Sequence, residues 1–268
     1  VNGQYVNPWL STKSLQGVST AQGLAIAPYF LFKLNAGDDV LQKLFDQDDF
    51  YRETLSAAQV QGKELLVYEV NLHTTGGDAS KADRAIATTS AASGAALAKR
   101  LLTGLNLGIQ RQCLYTLAQY DAYLESQNTP RELVKLWGIA RDLGDSGRLR
   151  PTGLVMAMLN QALPADVYPL KNMGGEDKDM ALSAFKTPKT WAVAAVSGKA
   201  QPQKITVQLP EPTPKPSWRL LRLASPSPAA DNETKEQVKI VQERLSVKGN
   251  NVSFTVPPYG VVMAVAAE

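Results

Sequence analysis

Residues Lys63 to Gly77 read KELLVYEVNLHTTGG. An apolar run, Leu65-Leu66-Val67-Tyr68, ends in the carboxylate Glu69 and passes through Val70-Asn71-Leu72-His73-Thr74-Thr75 into two glycines. A run of this kind, without polar alternation, predicts a strand buried on both faces. The polar, turn-prone tail predicts that Glu69 stands at the strand's carboxyl end. A carboxylate in such a place costs several kcal/mol unless it is paired, solvated in a cleft or functional. Two readings follow: a structural Glu paired with an Arg of the next strand, or a reactive group at the rim where parallel α/β barrels keep their chemistry.

Working outward, Gly23–Phe30 (GLAIAPYF) is a second buried strand on the amino-terminal side. Asp38–Val60 places Val40, Leu41, Leu44, Phe45 and Leu55 at helical spacings, and Ala82–Leu105, rich in Ala and Leu, predicts another long helix. Gln110–Tyr120 predicts a third strand, Lys135–Ala140 a short extended segment, and Pro151–Leu163 a helix with proline in its first turn, where the missing N–H costs nothing. The order βαβαβα implies parallel strands with helical crossovers. A closed (β/α)8 barrel takes eight strands and typically ~250 residues. Three βα units fit here, so the first 165 residues cannot close a barrel alone.

From residue 166 to 268 helical periodicity disappears. Strand-like runs (Thr190–Val196, Gln203–Leu209, Trp218–Leu223, Val238–Leu245, Val252–Val256, Gly260–Ala266) alternate with Pro, Ser, Gly and Asn punctuation. Pro210–Ser217 and Ser225–Thr234 read as too proline-rich and polar for a core, and Lys248–Asn251 (KGNN) reads as a hairpin turn. An antiparallel sandwich of about 100 residues fits this half. The fold class expected is α/β plus all-β.

The composition narrows the chemistry. Twenty-eight Lys and Arg against 25 Asp and Glu give a net charge of +3, with no basic cluster interleaved with aromatics, so nucleic-acid binding has no footprint. Cys113 is the one cysteine and His73 the one histidine, which excludes an internal disulfide and any Cys- or His-rich metal site. No cofactor is implied. No apolar stretch approaches the roughly 18–20 residues that span a bilayer, so no membrane partner is expected. The chain starts at Val1 without a signal-like segment, and the expectation is that any such segment lies upstream or has been removed. A secreted or periplasmic location is the expectation.

Among the remaining candidates, His73 lies four residues beyond Glu69, where it could bond a substrate hydroxyl or orient the carboxylate, or simply be a solvated loop residue. Tyr29 and Phe30 end the first strand, Tyr115 and Tyr120 lie on the third, and Trp137 follows it. Flat rings facing a cleft could stack on a substrate, whereas core packing takes most aromatics in any domain. Arg141, Asp142, Arg148 and Arg150 surround a turn; an Arg there could clamp a substrate carboxylate, or all could be surface pairs. Gly76-Gly77 lacks phosphate-loop spacing, and Thr89, Ser90 and Ser93 have no His–Asp set beside them.

The segments GLAIAPYF, VYEVNLHTTGG, LWGIARDL, RPTGLVMAMLNQAL and VSFTVPPYGVVMAVAA, in this order, resemble the carboxyl-terminal part of retaining glycoside hydrolases of the (β/α)8 superfamily, similar to arabinofuranosidases, xylosidases and glucuronidases. The resemblance implies that Gly23–Phe30, Lys63–Glu69 and Gln110–Tyr120 are barrel strands six, seven and eight, followed by the sandwich. It implies Glu69 as the nucleophile, and Tyr29, His73 and Trp137 as substrate-binding residues. The second carboxyl would come from strand four, which has no counterpart here. The expected partners are a carbohydrate substrate and the amino-terminal half of the barrel as a separate chain or segment, held without a disulfide because the Cys113 thiol is expected to be buried. A non-catalytic carbohydrate-binding or scaffold protein of the same architecture is the rival reading, and a remnant without an independent role a poorer one.

Overall fold

A computed structural model describes residues 1–48, 50–118, 121–126, 129–163, 168–171, 177–186, 191–212 and 217–266. Tyr120 and the expected boundary at residues 165 and 166 lie outside the described residues. The first element, α1 (Pro8–Gly17), escapes the sequence reading because only Ser11 and Leu15 of its ten residues are buried. Asn7 caps it and proline opens it. β1 (Gly23–Ile26) follows, then α2 (Val40–Phe45), α3 (Tyr51–Val60), β2 (Glu64–Val70), α4 (Lys81–Thr89), α5 (Ala91–Asn106) and β3 (Gln112–Leu114). The three strands form a parallel sheet in the order β1-β2-β3, with Gly23 opposite Glu64 and Ile26 opposite Val67. A parallel bridge from Asn2 to Ala25, with Gly3 N–H donating to the Ala25 carbonyl at 2.8 Å, adds a fourth position beyond β1.

Burial shows which face the helices cover. Leu24, Ile26, Leu65 and Val67 are buried, whereas Ala25 and Leu66 are half-buried and Tyr68 and Cys113 are exposed. From the sequence, three parallel strands alone are expected to leave Ala25, Ile26, Leu65, Val67 and a buried Cys113 near unpaired sheet edges and an open barrel interior. Instead Ile26, Leu65 and Val67 face the helices, and the thiol lies on the uncovered face, because side-chain direction alternates along a strand.

Each long helical segment is broken in two. Asp38–Val60 becomes α2 and α3 because the loop between them supplies partners to buried charges. Lys99 Nζ donates to the Phe45 carbonyl at 2.8 Å, and Arg100 donates to the Asp48 carbonyl at 2.8 Å and carboxylate at 3.1 Å. Gln47 takes the Leu44 carbonyl at 3.0 Å, so α2 ends with its last carbonyls satisfied. Ala82–Leu105 breaks at Ser90, whose backbone is extended and whose side-chain hydroxyl caps α5 by accepting from Ser93 N–H. The amides of Ala91 and Ala92 then donate to the carbonyls of Ala230 and Pro228 at 2.8 and 2.9 Å.

A hairpin unseen in the sequence, β4 (Asp121–Ser126) and β5 (Thr129–Lys135), precedes α6 (Pro151–Ala162). β5 ends at Lys135, so the extended segment expected from there to Ala140 is instead a strand end followed by irregular chain. The remaining strands are β6 (Tyr168–Pro169), β7 (Met180–Lys186), β8 (Trp191–Ser197), β9 (Gln203–Gln208), β10 (Ser217–Ala224), β11 (Lys239–Ser246), β12 (Asn251–Val256) and β13 (Gly260–Ala266). Six form a sheet in the order β11-β10-β13-β8-β7-β6, antiparallel at every described pair, while β12 pairs with β9 in a separate two-stranded sheet. The Lys248–Asn251 turn forms, but its strands belong to different layers rather than to one hairpin.

β8 and β13 are buried throughout because both of their faces are covered. Ala192, Ala194, Val196, Val261, Met263 and Val265 join the core shared with the helices and β1–β2. Trp191, Val193, Ala195, Val262 and Ala264 pack with Val252, Phe254 and Val256 in a second core. Among the described residues no helix is long and apolar enough to cross a membrane.

The contact of α5 with α6 supplies a test. A Cβ on Gly94 would lie 2.7 Å from the Pro151 carbonyl oxygen, whereas one on Gly17 would meet nothing within 4 Å. Gly94→Ala is expected to destabilise the chain by about 1–3 kcal/mol and Gly17→Ala by no more than about 0.5 kcal/mol either way, measured by urea denaturation.

Candidate active site

The sheet's register creates the site. Val67 pairs with Gln112 and Val70 with Leu114, so Tyr68 and Glu69 together oppose the single residue Cys113. This bulge keeps Val67 and Val70 buried on the helix side while Glu69 is half-buried and Tyr68 exposed. Without it the alternation would put Glu69 on the face opposite Val70 but would turn Val70 away from the side that Val67 occupies.

Tyr29 follows β1, and its hydroxyl donates to Glu69 Oε2 at 3.1 Å. Burial first, and the Glu69 charge second, push the phenol well above its ordinary value, so it remains a donor. Among the described residues Glu69 forms no ion pair. One carboxylate oxygen of Glu69 is thereby oriented by the Tyr29 hydroxyl.

The loop beyond Glu69 is fixed from several sides. Phe30 N–H donates to the Asn71 carbonyl at 3.2 Å and His73 N–H to the Phe30 carbonyl at 2.8 Å. The Asn71 side chain bonds the Tyr115 carbonyl, bridging the ends of β2 and β3. Arg84, buried on α4, spreads its guanidinium over the carbonyls of Thr74, Gly76 and Gly77. Gly77 sits at φ 82°, and a Cβ there would come within 2.0 Å of the Leu34 carbonyl oxygen.

Five rings gather beside the carboxylate. His73 lies 5.6 Å from Tyr29 and 5.7 Å from Trp137, centroid to centroid, and Trp137 lies 6.1 Å from Tyr29. Tyr115 meets Trp137 edge-on at 5.2 Å. Phe32 stacks on His73 at 5.1 Å with 2° between the planes, while its own ring is 64% exposed. Thus the structure brings Glu69, Tyr29, His73 and Trp137 together. The sequence reading missed Phe32, Asn71 and Arg84; an exposed aromatic two residues past a strand end was the available sign for Phe32, and no local pattern marks the other two.

The turn around residues 141–150 divides. Arg141 pairs with Asp142 at 2.8 Å on the surface, and Asp142 is held well below the usual carboxylate range by hydrogen bonds from Ser146, Arg141 and Gly147. Arg150, in contrast, is buried, with its donors committed to Glu233 and to the carbonyls of Trp137 and Gly138. A surface-pair reading is therefore wrong for Arg150, and its fork is not available to a uronic carboxylate.

The sequence matches no protein-family profile and no curated protein. The three-dimensional arrangement does have counterparts: its fold is similar to that of solved glycoside hydrolases. A family 51 arabinofuranosidase from Xanthomonas axonopodis pv. citri superposes with a TM-score of 0.66 at 14% identity, covering 99% of this chain and 57% of that one. A 4-O-α-L-rhamnosyl-β-D-glucuronidase from Fusarium oxysporum 12S gives 0.62 at 14% identity, covering 97% and 56%. A family 30 subfamily 8 xylanase from Clostridium acetobutylicum gives 0.53 at 11% identity, covering 97% and 59%. The chain therefore spans less than three fifths of each of these proteins.

Burial holds the His73 imidazole below its ordinary 6.5. The unfolded chain takes up that proton more readily, so the stability associated with the neutral ring is complete above that value and is lost as pH falls below it. His73→Asn is expected to flatten the decline in melting temperature between pH 7 and about pH 5; an unchanged slope would show that His73 contributes nothing to it.

Proposed function

We propose that this chain is the carboxyl-terminal portion of a retaining glycoside hydrolase acting on poly- or oligosaccharide. In this reading residues 1–165 supply strands six to eight of a (β/α)8 barrel and residues 166–268 form the C-terminal β-sandwich. The observation that carries it is Glu69, at the carboxyl end of β2 beside the Tyr29 hydroxyl and within a wall of aromatic rings.

Glu69 attacks the anomeric carbon, forming a carbon–oxygen bond as the glycosidic bond breaks. A second carboxyl, ~5–5.5 Å away, gives its proton to the leaving oxygen and then removes one from the water that hydrolyses the intermediate. No Asp or Glu of this sequence occupies the matching strand position, so the acid/base belongs to the amino-terminal half of the barrel, a separate chain or segment. The uncovered sheet face with Ala25, Leu66, Tyr68 and Cys113 supports such a partner, as does the coverage of less than three fifths of the similar structures. His73 and Trp137 serve as hydrogen-bonding and stacking groups for the sugar, with Tyr29 orienting the carboxylate.

The absence of a matching acid/base carboxylate in the sequence equally favours a second reading, a non-catalytic carbohydrate-binding or scaffold protein. The two separate experimentally. In the assembled enzyme Glu69→Gln is expected to lower turnover at least about a thousandfold without loss of folding, and an activated 2-deoxy-2-fluoro glycoside should leave its sugar on Glu69, read by peptide mass. A series of arabinofuranosyl, xylosyl and glucuronosyl reagents covers the sugars named for the similar structures. Unlabelled Glu69 together with retained oligosaccharide binding would select the second reading.

Trp137→Ala should weaken oligosaccharide affinity about tenfold by titration calorimetry while leaving the fold intact. Unchanged affinity with a stability loss of about 3–5 kcal/mol would instead make it a core aromatic.

A further inference from the structure

The segment between β10 and β11, expected from its composition to stay out of the core, is one of the most firmly held parts of the chain. Asn232 is 1% exposed. Its amide donates to the carbonyls of Leu149 and Val238 at 3.0 and 2.9 Å, and its oxygen accepts from the amides of Gln237 and Val238 at 2.9 and 2.8 Å. The Ala230 carbonyl receives the first amide of α5, and the Glu233 amide donates to the Asp231 carboxylate at 2.9 Å. Such a frame fixes the direction in which the next side chain, Glu233, projects.

We propose that Glu233 is a positioning residue for Trp137, acting from the antiparallel region through Arg150. Arg150 is 1% exposed and links the two. Its Nε and Nη2 donate to the two carboxylate oxygens of Glu233 at 2.7 and 3.2 Å, and its Nη1 donates to the carbonyls of Trp137 at 2.8 Å and Gly138 at 3.2 Å. Lys135, at the end of β5 and two residues before Trp137, bonds the same carboxylate. Although burial alone would raise it, hydrogen bonds from Arg150 and Lys135 hold the Glu233 carboxyl below its ordinary value.

The physical logic is one of charge and geometry. A guanidinium taken out of water needs an anion, and the bidentate pair fixes its plane as well as its charge. With that plane fixed, the opposite side of the fork sets two successive carbonyls, and the ring of Trp137 follows its backbone toward His73, Tyr29 and Tyr115. The Arg150 backbone closes the frame, its N–H donating to Ile139 O at 2.8 Å, while Ile139 N–H donates to Thr116 O at 3.0 Å. The aromatic wall is thereby aimed by the region that contributes no ring to it. The functional meaning rests on the reading of Trp137 as a sugar-facing residue; the positioning itself does not.

The test uses fluorine NMR of the chain labelled with 5-fluorotryptophan, in which Trp9, Trp137, Trp191 and Trp218 give four resonances and Trp137→Phe assigns one. Glu233→Gln should displace or broaden the Trp137 resonance while the other three hold their positions. Glu233→Asp, which keeps the charge but shortens the reach by one methylene, should disturb the same resonance and is the variant to rely on if Glu233→Gln fails to fold. An unmoved Trp137 resonance in either folded variant would overturn the proposal. Displacement of all four together, or unfolding of both variants, would make Glu233 a general stability element and overturn it as well. Because the readout is the indole environment and not turnover, it can fail while the glycosidase reading stands, and the reverse.

Discussion

Everything in this chain is arranged around one helix that has almost no free surface. Of the sixteen residues of α5, thirteen are buried, and they touch the parallel-strand region, α6 and the six-stranded antiparallel sheet. A helix covered on so many sides must be apolar nearly all round. Alanine and glycine at positions 91, 92, 94, 95, 96 and 98 allow its neighbours to approach closely. Gly94 shows the limit, since even a methyl group there would enter the backbone of α6. The core that results is continuous from Tyr5 to Val265, so the α/β part and the antiparallel part share one interior.

Such close packing shuts Arg84, Lys99, Arg100 and Arg150 away from the surface, and these buried cations hold loops. Lys99 and Arg100 on α5 seize the loop between α2 and α3; burial, with the neighbouring Arg100 charge second, pulls the Lys99 ammonium down to about 8. Arg100 also lies 5.4–5.5 Å from the ring centres of Tyr5, Phe30 and Tyr51, replacing hydration with aromatic faces. Arg84 fixes the loop beyond Glu69, and Arg150 the loop that carries Trp137. The guanidinium suits this work because its planar fork can meet several carbonyls at defined angles. Two of these buried arginines thus border the candidate site without supplying a reactive group to it.

The local signals in the sequence are trustworthy where burial is uniform and fail where polar contacts decide. Glu69 was conspicuous because a charge closing an apolar run is expensive, and β8 and β13 were conspicuous because both of their faces are covered. The breaks at Asp46–Phe50 and Ser90 were invisible because hydrophobic periodicity runs on through a helix interruption, whereas the partners that stabilise the break, Arg100 and Ala230, are remote in sequence. α1 carries few buried side chains and so left little pattern.

By itself, then, the sequence determined the succession of parallel βα units and antiparallel strands, the position of Glu69 at a strand end, and the poverty of metal-binding and disulfide chemistry. These follow from side-chain period, the cost of a misplaced charge and residue counts, all of which are local. Only the tertiary structure decided that a bulge presents Glu69 and Tyr68 on the uncovered face, that Cys113 is exposed there, and that Glu233 reaches Trp137 through Arg150. Register and ion pairing depend on which distant segments meet, and the energy that selects them, the desolvation of a buried charge against the geometry of its partner, has no signature in neighbouring residues.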